Sequence, residues 1–344
     1  MPKVIVFGNT LFNTMGLIRS IGENGIPVIL MLEPCRKSDC FVRFSRYVKK
    51  VHWLRKMEDA LDVLRREYWD EPARPVILCG SVPLAERCGL NLIKTWRVKA
   101  GGEIPEDISY PCLIKGNNST TSTKGDMHVC GNEEELRSNL HDGVDYLLQE
   151  YIERDYELDI VGLSINHGKD VYVPAAVRKI RDTLTRQSVY IRLDDITTYS
   201  SLQPEWIESL VREIGYEGIF SVEVLCRGDK HYFLEMNLRN DACCYLYTAG
   251  GVNYPLLWVL CNGGKKLAEQ KAVIEVKAPV YLMHENDLYN LWEGKVSLRE
   301  WLKDFWRSDA FFVMNWRDPL PFIVSTLIHF RQMCKKIVRG ILAV

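Results

Sequence analysis

Three oxygen-bearing side chains stand where apolar ones would be safer. In "FSVEVLCRGDKHYFLEMNLRND", residues 220–241, Phe220, Val222 and Val224 alternate with Ser221 and Glu223, and Tyr232, Leu234 and Met236 alternate with Phe233, Glu235 and Asn237. Period two is the signature of a strand. The intervening "RGDK" supplies turn residues, so the pair reads as a β-hairpin closing around Gly228. Folded there, Glu223 comes roughly opposite Phe233 and Glu235, while Glu235 and Asn237, two apart, project from one face. Neighbouring carboxylates repel and burying one without a partner is costly, so such a cluster calls for a cation. Hard oxygen donors suit magnesium, which takes one or two carboxylates and completes its octahedron with substrate phosphates and water. The competing reading is the solvated face of a one-sided sheet, which alternates in the same way.

A second stretch has phosphate chemistry. In "YPCLIKGNNSTTSTKGDMHVC" a strand carrying Lys115 runs into a loop of Gly, Asn, Ser, Thr and Lys124, and a further strand starts near Met127. Hydroxyls, free backbone N–H groups and an ammonium are what a polyphosphate needs. The same composition suits an ordinary polar hairpin loop. A third stretch, "VYVPAAVRKIRD", reads as a strand ending in the basic cluster Arg178, Lys179 and Arg181. That cluster is either an anion site or a solvated basic turn.

These residues need elements to hold them. The N-terminal "KVIVFGNTLFNTMGLIRSIGENGIPVILM" is an apolar strand, a Gly/Asn turn, an amphipathic helix, a "GENG" stop and a second apolar strand, a βαβ unit of a parallel sheet. It lacks the GxGxxG spacing, so nothing there demands a dinucleotide. "MEDALDVLRREYWDE" reads as a helix, and "RPVILCG" as the next parallel strand, ending at Gly80. After a helix at "NEEELRSNL", the run "DYLLQEYIERDYELDIVGLSI" gives a strand, a short break and an alternating strand. "PEWIESLVREIGY" is a helix leading into the acidic hairpin. The fold class is therefore α/β (α+β). A parallel unit and linker occupy residues 1–104, a small strand-and-loop unit 105–152, an antiparallel sheet with helices 153–318, and a terminal helix 319–344.

With 344 residues, two or three subdomains sharing a cleft are expected. A formal net charge of −1 carries no basic footprint for nucleic acid. The eleven cysteines show no paired CxxC spacing and "MPKVIVFGNT" is no leader, which points to a reduced, cytoplasmic compartment. No apolar run reaches membrane-spanning length.

In "YPCLIKG" with its Ser/Thr loop, "LLQEYIERDYELDIV", "FSVEVL" and "FLEMNLRND", in that order and spacing, the chain resembles the ATP-grasp superfamily, in particular its carbamoyl-phosphate-synthase-like carboxylate–amine ligases. The resemblance covers about residues 105–262, and the N-terminal unit looks like the family's pre-ATP-grasp domain. It implies ATP and Mg²⁺ (or Mn²⁺) as cofactors. Lys115 would contact the α-phosphate and adenine side, and Lys124 with Ser119, Thr120, Thr121 and Ser122 would form a loop over the β- and γ-phosphates. The backbone of Glu150 and Ile152 would take the adenine edge. Asp155, with Glu157 as a rival, would bind the ribose. Glu223, Glu235 and Asn237 match the metal ligands, Arg239 the arginine that steadies the transferring phosphate, and Arg178 and Arg181 either a phosphate or a substrate carboxylate. One departure stands out: "SVPLAERCG" crosses in nine residues a segment that is longer and helical in relatives.

The activity so implied is a ligase that phosphorylates a carboxylate and passes the acyl group to an amine, both small molecules. Its rivals are a bicarbonate-using carboxylase and an ATP-binding module without catalysis. An oligomer is compatible with the sequence. The tail "PLPFIVSTLIHFRQMCKKIVRGILAV" contains no Asp or Glu, and Ile323, Leu327, Phe330, Cys334, Ile337, Ile341 and Val344 fall on one helical stripe. Such a helix either packs on the protein's own core or a second subunit, or lies at an anionic membrane surface. Related ligases modify cell-envelope polymers, so the resemblance points to the inner membrane face and a surface glycan or its precursor.

Overall fold

The computed structural model describes residues 3–10, 12–33, 40–55, 59–68, 76–79, 94–99, 102–116, 127–141, 144–183, 187–202 and 204–342, the side chains of 61, 76–79, 95 and 332–342 excepted. The apolar N-terminal runs form parallel strands β1 (Val4–Gly8), β2 (Val28–Leu32), β3 (Val48–Trp53) and β4 (Val76–Cys79), in the order β3-β2-β1-β4. Helix α1 (Phe12–Gly22) crosses from β1 to β2, and α2 (Asp59–Tyr68) follows β3. Nearly every residue of α1 is buried. One of its sides meets this sheet and the other meets helices of the C-terminal unit. At the end of β1 a Cβ on Gly8 would lie 2.3 Å from Thr14 Oγ1, so the strand-to-helix turn closes tightly only with glycine there. Asn9 follows at the carboxyl end of the strand, where open parallel sheets bind ligands.

A small antiparallel sheet comes next, built from β5 (Thr95–Val98), β6 (Cys112–Gly116), β7 (His128–Cys130) and β8 (Tyr146–Glu150), in the order β5-β8-β6-β7. Helix α3 (Glu133–Asn139) starts at Asn132, whose side chain accepts the Glu135 N–H at 2.9 Å, and sends Leu136 into a core with Val98, Ile114 and Leu148. Thr95–Val98 pairs with β8, so this strand, ahead of residue 105, joins the small sheet.

The large sheet contains β9 (Tyr156–Ile165), β10 (Asp170–Tyr172), β11 (Ala175–Asp182), β12 (Ser188–Asp195), β13 (Gly218–Arg227), β14 (Lys230–Asn237), β15 (Val280–Met283) and β16 (Ala310–Phe311). Its order is β14-β13-β9-β11-β12-β15-β16, with β10 on β9. Helix α4 (Glu205–Ile214) covers one face, burying Ile207 and Val211 against Leu158, Ile160, Phe220, Val222 and Val224. Helices α5 (Cys244–Ala249) and α6 (Tyr254–Asn262) lie between the other face and α1. The hairpin closes at Gly228, whose φ of +54° is the left-handed conformation a tight turn uses.

Strict alternation fails at one point in that hairpin. Glu223 pairs with Glu235 and Val224 with Phe233, which leaves Leu234 as an extra residue in a β-bulge. Phe233 therefore turns into the core with Val224, although alternation alone puts it beside Glu235 and Asn237. Leu234 joins Ile152, Leu225 and Tyr232 instead.

Helices α7 (Leu267–Lys271), α8 (Leu288–Trp292), α9 (Leu298–Arg307) and α10 (Leu320–Leu342) complete the chain. The start of α10 is anchored to the N-terminal unit. Asp318 accepts Ser45 Oγ at 2.6 Å and the Arg46 N–H at 2.9 Å, and it lies 3.7 Å from the fully buried Arg19. Beyond that anchor the apolar stripe is open, with Leu320, Ile323, Leu327 and Phe330 exposed by 47, 49, 61 and 60%. Among the described residues no helix is long and apolar enough to cross a membrane.

Candidate active site

Glu223 is the register partner of Glu235 on one neighbouring strand and of Asp159 on the other. Directly paired residues share a face. Three carboxylates thus stand in a row across β14, β13 and β9. Two residues along the ladder, on the same face, Asn237 pairs with Ser221; its amide donates to Glu235 Oε1 at 3.1 Å and its carbonyl accepts from Arg239 Nη2 at 3.2 Å. Glu235 is exposed, whereas Asp159 is buried. Two facing carboxylates with an amide carbonyl beside them fit a hard divalent cation at Glu223, Glu235 and Asn237.

Lys179 holds the centre of this face. Its Nζ donates to Glu223 Oε2 at 3.1 Å and to Glu157 Oε1, and Arg154 Nε lies 3.2 Å from the other Glu157 oxygen. Burial alone would lower the Lys179 ammonium; Glu223, Glu157 and Asp159 outweigh it and hold the ammonium well above its ordinary range. The Glu157 carboxyl is raised by burial, against the pull of Lys179 and with the push of Glu223. Asp159 is raised well above the carboxylate range by burial and then by Asp241 and Glu223.

A cleft opens between the small sheet and the large one. Lys115, Leu113, Glu150 and Ile152 line it from one side and Leu225, Leu234, Glu157, Lys179, Glu223 and Glu235 from the other. Its inner end is apolar: Ile152 packs with Leu225, Tyr232 and Leu234. Among the described residues the Ile152 N–H donates to no group, while the Glu150 N–H is taken by Lys94 O at 2.9 Å. A flat heteroaromatic base would find an apolar seat and a hydrogen-bond donor there.

A second cavity, of about 390 Å³, lies on the other side of Lys179 and Glu223. It is bounded by Asn9, Phe12 and Asn13 of the N-terminal unit, by Asp159 of β9 and by Arg239 and Asp241 of the segment after β14. The two spaces have Lys179, Ser188 and Glu223 in common. Arg239 Nη1 donates to Asn240 O at 3.1 Å and stands 3.8 Å from Asp241 Oδ2.

Lys115, Glu150, Ile152, Glu223 and Glu235 are brought to the cleft, Arg239 lines the second cavity, and Asn237 joins Glu235 to Arg239. Arg178 is not brought there. Period two sets Val177 and Lys179 toward the acids and Ala176 and Arg178 toward α4, where the Arg178 guanidinium lies over the Tyr156 ring at 4.3 Å. Arg181 is taken by Asp287 at 2.6 Å and Asp304 at 2.9 Å, tying β11 to the C-terminal helices. Asp155 accepts the Gly228 N–H at 2.7 Å and so braces the hairpin turn; its rival Glu157 is the acid that lines the cleft. Ser119, Thr120, Thr121, Ser122 and Lys124 lie outside the described residues, as does the "SVPLAERCG" crossing. Lys179 is the residue that sequence reasoning passed over. Alternation along "AAVRKIRD" sets it on the face opposite Arg178, but which face meets the acids follows only from the pairing of β11 with β9.

No protein-family model matches the chain, and no curated protein does. Solved structures do. N5-carboxyaminoimidazole synthetase from Staphylococcus aureus superposes with a TM-score of 0.64 at 15% identity, covering 86% of each chain. Biotin carboxylase from Campylobacter jejuni, in complex with a β-γ-ATP ligand, gives 0.59 at 18% identity, over 80% of this chain and 74% of that one. L-amino acid ligase from Bacillus licheniformis gives 0.56 at 15%, over 75% and 74%. With the parallel N-terminal unit, the small sheet and the acid-bearing antiparallel sheet in the same order, the chain has the ATP-grasp fold.

Proposed function

We propose that this protein is an ATP-dependent ligase that joins a carboxylate to an amine through an acyl phosphate. The observation that carries the reading is the pair of spaces meeting at Lys179 and Glu223: a cleft with an apolar seat for a base, and a separate cavity reached from the N-terminal unit. A single-substrate ATPase has no use for the second. Lys115 binds phosphate from the small sheet, and Glu223, Glu235 and Asn237 would hold a divalent cation, which would supply charge neutralisation to the nucleotide phosphates. Arg239 steadies the phosphoryl group as the substrate carboxylate takes it. Glu157, held by Lys179, is set to receive the ribose hydroxyls. The amine then attacks the acyl carbon and phosphate leaves. Positioning and electrostatics account for the chemistry, and no side-chain nucleophile is required. Screening the purified chain for ADP release with magnesium, over a panel of small acids and amines and with bicarbonate, tests this. Release that depends on an organic acid is expected. Turnover with bicarbonate alone would favour a carboxylase, and turnover indifferent to every acid would overturn the ligase.

The terminal helix extends the reading to location. Its open stripe, Leu320, Ile323, Leu327 and Phe330, continues in sequence through Cys334, Ile337 and Ile341, with Arg331, Lys335, Lys336 and Arg339 beside it and no acid. A second copy packed along the stripe would bring these cations together with no carboxylate on the helix to pair them. An anionic lipid surface complements both features. An enzyme resting there is placed to modify an envelope glycan or a lipid-linked precursor.

A further inference from the structure

The second cavity contains acid groups that the metal face does not use. Asp159, only 5% exposed, accepts the Cys243 thiol through Oδ2 at 3.5 Å, and its Oδ1 has no hydrogen-bond partner among the described residues. Asp241 accepts the Cys243 N–H at 2.9 Å and reaches toward Arg239 at 3.8 Å. Ligand atoms of Asp159, Asp241 and Cys243 all lie within 4.8 Å of one another. Lys179, a nearby cation, is engaged by Glu157 and Glu223. A buried carboxyl oxygen without a donor is costly, and two acids side by side resist ionising together; a positive group entering the cavity would donate to the open Oδ1 and let both carry their charge.

Two kinds of cation satisfy a carboxylate pair. A divalent metal needs four to six or more ligands, as a general rule for such ions. Here the group of close acid and thiol ligands stops at three, Asp159, Asp241 and Cys243, among the described residues, and the cavity is also walled by the uncharged Asn9, Asn13, Gln187 and Ser188 and by the apolar Val177, Ile191 and Phe312. An ammonium has three donors on a tetrahedral nitrogen, and two of them suffice for Asp159 and Asp241. The apolar wall suits the carbon skeleton behind it. Arg239 borders the same cavity, so a molecule whose nitrogen is held by the acids lies next to the place where the carboxylate is phosphorylated.

We propose that Asp159 and Asp241 form the subsite for the charged amino group of the second substrate, which makes that substrate a primary aliphatic ammonium compound; one of its protons passes to the Asp159 or Asp241 carboxylate, and the freed nitrogen lone pair bonds to the acyl carbon as the bond from that carbon to the phosphate oxygen breaks. The assignment rests on the ligase reading and names the class of its amine.

The test uses the full chain with an acid found in the ADP-release screen. Two nucleophiles are compared: primary amines, including the common amino acids and short diamines, and hydroxylamine, which is uncharged at neutral pH. For Asp159→Asn and for Asp241→Asn, kcat/KM for the amine is expected to fall at least tenfold further than for hydroxylamine, mostly through KM, with the KM for ATP moving less than threefold. Equal losses for both nucleophiles would assign the acids to the metal face and overturn the subsite, as would no loss for either. Thermal shifts in the presence of ADP and magnesium give a readout that does not need turnover. Cationic amines from the panel should stabilise the wild type and not Asp159→Asn. Stabilisation by Mn²⁺ or Zn²⁺ through Asp159, or by no amine at all, would overturn it. Failure of the ligase reading is recognised separately, as a wild type that forms no hydroxamate with any acid.

Discussion

Glu223 and Glu235 are direct partners across the β13–β14 ladder, with Leu234 bulged out beside them. The bulge lets two acids face each other while the next apolar side chain still faces the cleft. Replacing Glu235 by Gln keeps the volume and removes one charge from this pair. ADP release at saturating magnesium should fall by on the order of a hundredfold or more, with an unchanged circular dichroism spectrum. Retention of more than about a tenth of the turnover would take Glu235 out of the metal site.

Lys179 is the sole described ammonium bridging Glu157 and Glu223, and all three are largely buried. Lys179→Met should therefore cost about 3–5 kcal/mol, because it removes the cation that the two acids share and leaves Glu157 with Arg154 alone. Urea unfolding measures it. Adding Glu157→Gln should return part of the loss, by removing one of the stranded charges. A single substitution costing under about 1 kcal/mol would mean that solvent, not Lys179, screens the pair.

His284 gives a pH signature. It is buried between Phe12 and Phe312, its Nδ1 accepts the Asn286 N–H at 2.9 Å, and burial, with a contribution from His329, lowers it to about 4. The unfolded chain binds its proton near the ordinary value of about 6.5, and the folded chain binds it only near 4. Between those values the unfolded state holds the extra proton, so His284 destabilises the fold as pH falls, by up to about 3 kcal/mol. Denaturant midpoints from pH 7 to pH 4 should fall less steeply in His284→Gln than in the wild type. Parallel curves would show that the imidazole already reaches water.

The α10 stripe predicts flotation. Full-length protein should rise with phosphatidylglycerol vesicles and not with phosphatidylcholine vesicles, and Leu327→Glu with Phe330→Glu should abolish it. Equal partitioning of wild type and variant would remove the helix from the membrane. If the same pair of substitutions instead converts a dimer to a monomer in sedimentation, the stripe is a subunit interface.

Much of this site was legible in sequence because strands announce themselves by alternation. Glu223, Glu235 and Asn237 were found that way, and the hairpin turn at Gly228 with them. The bulge at Leu234 was not legible: one extra residue reverses the faces before it, and nothing in "HYFLEMN" marks where the slip occurs. Lys179 and Arg178 differ in role only through which neighbours β11 meets, a long-range fact of pairing with β9. Asp155 and Glu157 both suited a ribose until the turn N–H of Gly228, more than seventy residues away in sequence, claimed the first. The Asp159–Asp241 pair depends on the chain crossing from β9 to the segment after β14, and no local pattern carries that.

In the proposed reaction the carboxylate itself attacks the γ-phosphorus. With the acid identified by ADP release and labelled with ¹⁸O in its carboxylate, one labelled oxygen should pass into the released phosphate in each turnover, because the bond to phosphorus is made by that oxygen and the bond to carbon is the one the amine breaks. Phosphate released without label, at full product yield, would contradict the acyl phosphate and with it the account of this site.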